Sequence, residues 1–373
     1  MKTNRIAFIG LILGAALLLQ TVGSAAPIDL GNLDWSVQYM IDTSQTDFGE
    51  LQSPNPRNNR GLALSADGQY LYAGYNNGSN VGEVRKIDLT VADYIDASVA
   101  RVTGVRGKSI AVDDAGRVYL GEGTSIKIYD GDFGFQYSIG TTNCEGVTVR
   151  REGDTVALYA TDRNNKTVSR WALTESGGAI TGAALAGLDG DGVVSVTGAS
   201  SLRGLDIDLD GRIWMADNGA NLVFRVNGDG TGLTSVSVAK AMDIGFDNGR
   251  ALVTQYTSRT ISVLNVSDMS LVSTLTVPWA GLELDPDGQS AAGALSGIVV
   301  LPGEGFYVSN ETGQTADEKS IYGRTDGNSG WIGDKFYTDL SFDDNDPILW
   351  AVPEPATVLM LVSGGLFALI RRR

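Results

Sequence analysis

The chain has 373 residues, 43% of them hydrophobic and 48 of them glycine, and its formal net charge is −16. It contains no histidine, which excludes Ser-His-Asp catalysis, histidine-bound zinc and histidine proton shuttles. Its single cysteine excludes an internal disulfide, and its negative charge argues against a nucleic-acid partner, because the phosphate backbone would be repelled.

The N-terminus has the composition of a secretion leader. Lys2 and Arg5 are basic, an apolar run extends from Ile6 to Leu19, and small residues over 23–25 suit a cleavage site. We therefore expect residues 1–25 to be a signal peptide with a signal helix; an uncleaved anchor is the alternative.

Six later stretches share one two-strand plan, and we call each stretch with the strands that follow it a unit. The units begin at Gly61, Ser109, Gly146, Gly204, Asp243 and Gly297. Their mean spacing is about 47 residues, which is typical of blades or solenoid turns. Hydrophobic residues alternate along the first strand, Gly or Asp forms the turn, and an aromatic residue usually follows in the return strand. Because a third and often a fourth strand follow, the pattern predicts an all-β fold, a six-bladed β-propeller.

Closing such a ring requires strands from both ends of the chain. Residues 35–41 and 334–340 alternate like strands and lie outside the two-strand stretches. We interpret them as partners that complete the sixth blade; a seventh blade is the alternative. The propeller domain is expected over residues 27–348, with a polar loop over 310–330.

The tail, residues 352–373, has three parts. Val352 precedes the triplet Pro353, Glu354 and Pro355; an apolar run extends over 356–370; and Arg371, Arg372 and Arg373 end the sequence. The run would be about 22 Å long as a helix, shorter than the roughly 20 residues that span a bilayer comfortably. The terminal arginines favour a cytoplasmic end.

This tail resembles the PEP-CTERM sorting signal of Gram-negative bacteria. The resemblance implies recognition by an exosortase-type membrane protease, transient insertion of a C-terminal sorting helix into the inner membrane, and removal of the tail. It also implies export to the cell surface or the extracellular biofilm matrix of a host that makes polysaccharide. A simple C-terminal anchor is the alternative.

The repeated hairpin resembles NHL-repeat and gluconolactonase-type propellers over about residues 55–310, a scaffold that carries many unrelated activities. The first hypothesis is a non-enzymatic module that binds an anionic glycan or a surface protein. The alternative is a metal-dependent lactonase, since the gluconolactonase-type relatives hold a divalent cation with Glu, Asn and Asp. Glu145 and Asp206 are candidates for that role, but neighbouring basic residues would surround the cation with positive charge. We therefore favour binding and assign no catalytic residue.

Propeller geometry brings the residue before each first strand and the loop after each return strand to one end of the ring, the channel mouth. The candidate ligand-binding residues there are Arg60, Lys108, Glu145, Arg203, Asp162, Asp217 and Asn218. Mixed charge in one concavity favours an anionic or polyhydroxylated ligand. No cofactor is expected. Calcium is the alternative, because residues 206–211 match the D-x-D-x-D-G spacing of calcium loops and turn chemistry does not account for Asp206.

Overall fold

The computed structural model describes residues 35–41, 59–76, 82–89, 98–247, 249–258, 260–276, 295–301, 305–310 and 348–353. All regular secondary structure within these ranges is β-strand, and they contain no helix of the length and apolarity that crossing a membrane requires. The expected signal helix and sorting helix lie outside the described residues. The all-β prediction is confirmed for the part of the chain that the structure describes.

Three of the sheets are four-stranded, antiparallel and follow chain order, whereas β1 (Trp35–Ile41) belongs to the last sheet of the chain. The first of the three contains β2 (Asn59–Leu64), β3 (Tyr70–Asn76), β4 (Gly82–Asp88) and β5 (Ser98–Val105).

An eight-stranded sheet follows in the chain, and it holds the second and third units. Its strands are β6 (Ser109–Val112), β7 (Val118–Gly121), β8 (Gly123–Tyr129), β9 (Phe135–Glu152), β10 (Thr155–Asp162), β11 (Thr167–Ser176), β12 (Ala179–Leu185) and β13 (Val193–Ser195). The 18-residue strand β9 pairs with β8 through its first part and with β10 through its second part. It is therefore the last strand of one unit and the first strand of the next.

The fourth and fifth units are the other two four-stranded sheets. The fourth contains β14 (Leu202–Ile207), β15 (Ile213–Asp217), β16 (Leu222–Val226) and β17 (Thr234–Ser237). The fifth contains β18 (Ala241–Asp247), β19 (Arg250–Gln255), β20 (Thr260–Asn265) and β21 (Leu271–Thr276).

The last sheet joins the two ends of the chain. It contains β22 (Leu295–Leu301), β23 (Gly305–Asn310) and β24 (Ile348–Pro353), with β1 paired to β24 at its outer edge. The prediction that residues 35–41 complete the sixth unit is confirmed, but the partner is β24. Residues 334–340, which we predicted as the partner, lie outside the described residues.

β24 extends through Val352 and Pro353, so it continues past the expected propeller boundary at residue 348 and into the expected tail. Pro353 lacks a backbone N–H group and would interrupt a strand that is paired on both sides. At this residue β24 pairs with β1 alone, since its pairing with β23 ends at Ala351. A proline at that end of the strand is therefore tolerated.

The first strands of the six units surround one axis. In order they are β2, β6, the second part of β9, β14, β18 and β22, each adjoining the next, and β22 adjoins β2 to close the ring. They enclose an axial cavity of about 240 Å³. The large alternating side chains of these strands pack between neighbouring units, while the backbone lines much of the cavity.

In the first four units, the aromatic residue of the return strand packs between one unit and the next. Trp214 is fully buried and packs with Ile244 and Val253 of the following unit, and its ring meets that of Phe246 edge to face at 5.7 Å. Its indole N–H donates to Asp208 in the hairpin turn at 2.9 Å. The turn carboxylate thereby fixes the orientation of a core side chain.

The same turn network recurs two units earlier in the chain. Asp208 also accepts hydrogen bonds from the backbone N–H and Nε of Arg212, at 2.9 and 2.7 Å. Asp113 accepts equivalent bonds from Arg117 at 2.9 and 2.7 Å and one from the Tyr119 hydroxyl at 2.8 Å. The oxygens of both carboxylates accept hydrogen bonds within the hairpin. Asp113 and Asp208 therefore have a structural role in the turn.

The residue at which each unit begins lies against the next unit, and in four of the six units it is glycine. A Cβ atom on Gly146 would lie 2.4 Å from the carbonyl oxygen of Arg203, and one on Gly297 would lie 2.2 Å from that of Arg60. Gly61 and Gly204 are equally crowded by the following unit. The glycines thus permit a backbone approach that any side chain would obstruct.

Two units place a side chain at this position, and it bonds to the next unit. The backbone N–H of Val147 donates to the Ser109 hydroxyl at 2.8 Å, and that of Ile298 donates to Asp243 Oδ2 at 3.1 Å. At this position, contact with the next unit is therefore made by close packing in four units and by a side-chain hydrogen bond in two.

Two glycines of β9 allow a matched test of this packing. We expect Gly146→Ala to lower the free energy of unfolding by about 1–3 kcal/mol, because the added methyl group meets backbone atoms. Gly140→Ala lies on the same strand with nothing within 4 Å of the new Cβ, so its effect should stay below about 0.5 kcal/mol. Urea denaturation of both variants measures the difference; equal effects would contradict the close approach.

Candidate functional site

One residue from each unit, the one before the crowded position, reaches the channel mouth. The six are Arg60, Lys108, Glu145, Arg203, Met242 and Ser296. They line a small pocket at one end of the axial cavity, together with Ser109, Gly204 and Asp243. Ser109 and Asp243 also line the cavity itself, so they lie at the boundary between the two spaces.

Bonds between units hold the backbone of this mouth in place. The Thr161 hydroxyl donates to the carbonyl oxygen of Arg203 at 2.5 Å, and the Thr254 hydroxyl donates to that of Ser296 at 2.6 Å. Each donor belongs to the return strand of the preceding unit. The mouth side chains therefore extend from a backbone that the ring itself has fixed.

Glu145 is the centre of the mouth, and its side chain is only 3% exposed. Lys108 Nζ donates to Oε1 at 2.8 Å, and Arg203 Nη1 donates to Oε2 at 2.7 Å. Arg60 and Arg163 form longer ion pairs with the same carboxylate at 3.8 and 4.0 Å. One carboxylate thus faces four cationic side chains.

The charge states follow from this geometry. Burial acts to raise the pKa of Glu145, but the positive charges of Arg203, Lys108 and Arg60 outweigh it, so the pKa lies below its ordinary value. Burial lowers the pKa of Arg203, Glu145 opposes this, and neighbouring cations add to it. An arginine stays protonated in proteins, so the five groups carry a net charge of +3.

Part of the donor capacity of this cluster is unused. The Nε atom of Arg203 is buried and has no hydrogen-bond partner among the described residues. The side chain of Arg163 is 42% exposed, and its 4.0 Å separation from Glu145 is too long for a hydrogen bond. Arg163 can therefore donate to an additional acceptor at the mouth, whereas Arg203 Nε is enclosed by protein atoms.

The structure brings four of the seven candidate residues together, namely Arg60, Lys108, Glu145 and Arg203. The other three do not line the mouth pocket. Asp217 accepts backbone N–H groups of Ser200, Ser201 and Ala220, at 2.7 to 2.9 Å. Its carboxylate fastens a loop and is not presented to a ligand.

Asp162 has the same role one unit earlier, since it accepts the backbone N–H groups of Asn164 and Asn165 at 2.9 Å. Asn218 directs its side-chain amide to the carbonyl oxygen of Lys240 and the sulfur of Met242, at 3.5 and 3.4 Å. The three lie at the expected end of their units, but their polar atoms are used within the fold.

The sequence did not point to Met242, Ser296 or Asp243. It places Arg163 in an outer loop at the mouth end but does not indicate that Arg163 faces Glu145. Alignment of the six units could have found the first three. Met242 and Ser296 occupy the same position as the four charged mouth residues, and Asp243 stands where four units have glycine. Arg163 belongs to a loop, so its reach to Glu145 follows no strand period.

Two carboxyl groups line the axial cavity. Asp206 Oδ1 accepts the Thr148 hydroxyl at 3.0 Å and the backbone N–H of Ile207 at 2.8 Å. Burial raises the pKa of Asp206 to about 6 and that of Asp243 to about 8, and the nearby charge of Asp206 adds to the second shift. Both side chains border the cavity and are half-buried.

The calcium alternative finds no ligand set in the described part of the chain, where no group of three or more acidic or cysteine side chains could hold a metal ion. Asp206 turns to Thr148, whereas Asp208 is occupied by Arg212 and Trp214. Residues 206–211 therefore form a hairpin turn. Cys144 is buried, and burial raises the pKa of its thiol.

Comparison with known proteins identifies the tail and the fold. Residues 351–373 match the PEP-CTERM protein-sorting motif, which implies export and recognition by an exosortase. No curated protein matches the chain.

Three solved structures are similar to the chain. The WD40 repeats of RRP9 are 9% identical, with 85% of this chain and 100% of that chain covered and a TM-score of 0.53. U3-55K is 9% identical, with 81% of this chain and 98% of that chain covered and a TM-score of 0.50. A structural-genomics protein of unknown function from Bacteroides thetaiotaomicron VPI-5482 is 16% identical, with 78% of this chain and 76% of that chain covered and a TM-score of 0.51. Because WD40 repeats form β-propellers, the similarity shows a propeller-like fold. At these identities it shows the fold alone.

The raised pKa of Asp243 makes stability depend on pH. Its folded-state pKa is about 8 and its ordinary value 3.8, so between these values the folded state binds more protons than the unfolded state. The free energy of unfolding therefore falls as pH rises through this window. We expect Asp243→Asn, which keeps the size and an acceptor, to raise Tm relative to the native chain more at pH 9 than at pH 5. An equal difference at both pH values would contradict the shift.

Proposed function

We propose that this protein is an exported cell-surface or matrix module, built as a six-bladed β-propeller, that binds an anionic ligand at the channel mouth without catalysis. Six first strands in a closed ring support the blade count. The sorting motif supports export. A signal peptide over residues 1–25 and a Gram-negative host are parts of the same proposal.

The observation that carries the binding site is the charge imbalance at the mouth. Four cations face one buried carboxylate, whereas the chain as a whole is acidic. Without residues 1–25 and 352–373, it has 23 basic and 43 acidic residues, a net charge of −20. A local net charge of +3 in a concavity attracts an anion and repels a free metal ion.

The same imbalance argues against the lactonase alternative. That mechanism needs a divalent cation coordinated by carboxylates near the mouth. Asp243 and Glu145 line the mouth pocket, and Glu145 lies among the cations. Its oxygens already accept hydrogen bonds from Lys108 and Arg203. A cation at this carboxylate would lie beside four positive side chains, so binding of an anion is the better-supported function.

Arg203→Ala tests the anion site. We expect it to weaken binding of an acidic oligosaccharide by roughly 1–3 kcal/mol, because a charged donor is lost, and the loss should shrink as salt screens the exposed charges. Arg212→Ala is the matched control, since Arg212 lies at the opposite end of the same unit and also forms a 2.7 Å ion pair. Calorimetric titration measures both, and equal losses would contradict a site at the mouth.

Intact-mass measurement of protein from the native host tests the processing. We expect a mature chain that lacks about the first 25 residues and ends beyond Pro353, because β24 is paired with β1 and β23. A species that still ends in Arg373 would indicate a plain anchor. A species that ends before Ile348 would show that β24 is absent from the mature sheet.

A further inference from the structure

The charged mouth already contains one carboxylate, and its geometry indicates which anion the site accepts. Each oxygen of Glu145 has its own close donor, Lys108 for Oε1 and Arg203 for Oε2, at 2.8 and 2.7 Å. The donors come from the units on either side of Glu145. They are therefore spaced by the ring to fit two oxygens in one plane, which is the shape of a carboxylate.

The space beside Glu145 is small. The mouth pocket holds about 20 Å³, and a cavity needs at least roughly 10–15 Å³ to hold one water molecule. One further oxygen atom fits without displacing protein atoms, so most of a second anionic group meets the mouth from outside. A sugar ring likewise cannot enter, so the remainder of any ligand lies across the outside of the mouth.

Arg163 is open to a further acceptor. It reaches the mouth from the loop after β10 with its side chain 42% exposed, whereas Arg203 Nε is buried without a partner in the described residues. Arg163 can therefore bind one more carboxylate beside Glu145.

The surface next to Arg163 is rich in amides and hydroxyls. Asn143 donates to Asn164 at 3.0 Å, and Asn165 donates to Thr142 at 3.2 Å, all exposed to solvent. Of the large hydrophobic residues that are exposed in the described ranges, none lines the mouth. Such a rim suits a polyhydroxylated ligand and not an apolar one.

We infer that the mouth selects a carboxylate over a sulfate or phosphate, that the ligand is a uronic acid unit of an acidic polysaccharide, and that Glu145 is an internal counter-ion that weakens its binding. This inference rests on the proposed anion-binding function and names the ligand class. Glu145 neutralises one of the four cations and repels the incoming carboxylate. Removing its charge then strengthens binding, whereas a Glu145 that contacts sugar hydroxyls would lose affinity on removal.

The first test compares two probes of equal charge, a galacturonate oligomer and a sulfated oligosaccharide, by calorimetric titration. We expect the native chain to bind the galacturonate oligomer at least about tenfold more tightly. Arg163→Ala should reduce that preference, and its side chain is exposed enough that the fold is retained. Equal affinity for the two probes would overturn carboxylate selection and leave the anion site in place.

The second test is Glu145→Gln, with Glu152→Gln as the control at the opposite end of the same strand segment, where Glu152 pairs with Arg170 at 2.6 Å. We expect Glu145→Gln to bind galacturonate about fivefold more tightly, and Glu152→Gln to bind it like the native chain. Weaker binding by Glu145→Gln would overturn the counter-ion role. If that variant does not fold, Lys108→Gln replaces it: loss of one cation should weaken binding, and unchanged affinity would overturn the role assigned to the cluster.

Failure of the proposed function and failure of carboxylate selection give different binding results. Absence of binding to both probes would overturn the proposed function together with this inference. Binding of both probes that does not depend on Arg163 or Arg203 would place the anion site elsewhere on the chain.

Discussion

The rest of the structure depends on the close approach of each first strand to the backbone of the next unit. Gly61, Gly146, Gly204 and Gly297 allow this approach because they lack Cβ atoms, and Ser109 and Asp243 replace it with a hydrogen bond. The contact between Gly297 and Arg60 joins the last unit to the first. Since each mouth side chain leaves the backbone one residue before this contact, the ring that closes the fold also sets the positions of the charged groups.

Burial of Glu145 is tolerable only because of that arrangement. A buried carboxylate without partners would lose several kcal/mol of solvation, and here Lys108 and Arg203 supply close donors from two neighbouring units. The pairing in turn holds together side chains that would otherwise repel one another. Glu145 neutralises only one of the four positive charges at the mouth. A bound anion can neutralise part of the rest.

Local sequence patterns were enough for the hairpins and for four mouth residues, because the strand period and the constant offset from the turn determine both. They were insufficient where the partner is distant in sequence. Val352 and Pro353 read as the start of a sorting tail, and only the pairing of Ile348–Pro353 with Trp35–Ile41 makes them part of a strand of the ring. Asp162 and Asp217 read as ligand groups because they are acidic and terminal, but the loops that follow use their oxygens. Arg163 reaches Glu145 through loop geometry, which no periodicity encodes.

The charge of the ring changes sign within a short distance along its axis. The mouth is cationic, while the cavity beneath it is lined by Asp206 and Asp243, with Asp243 at the boundary. With a pKa of about 6, Asp206 is ionised at neutral pH, so the cavity repels an anion that the mouth attracts. An anionic group is therefore held at the entrance and is not drawn inward. That division supports the proposed binding of an extended anionic ligand outside the ring.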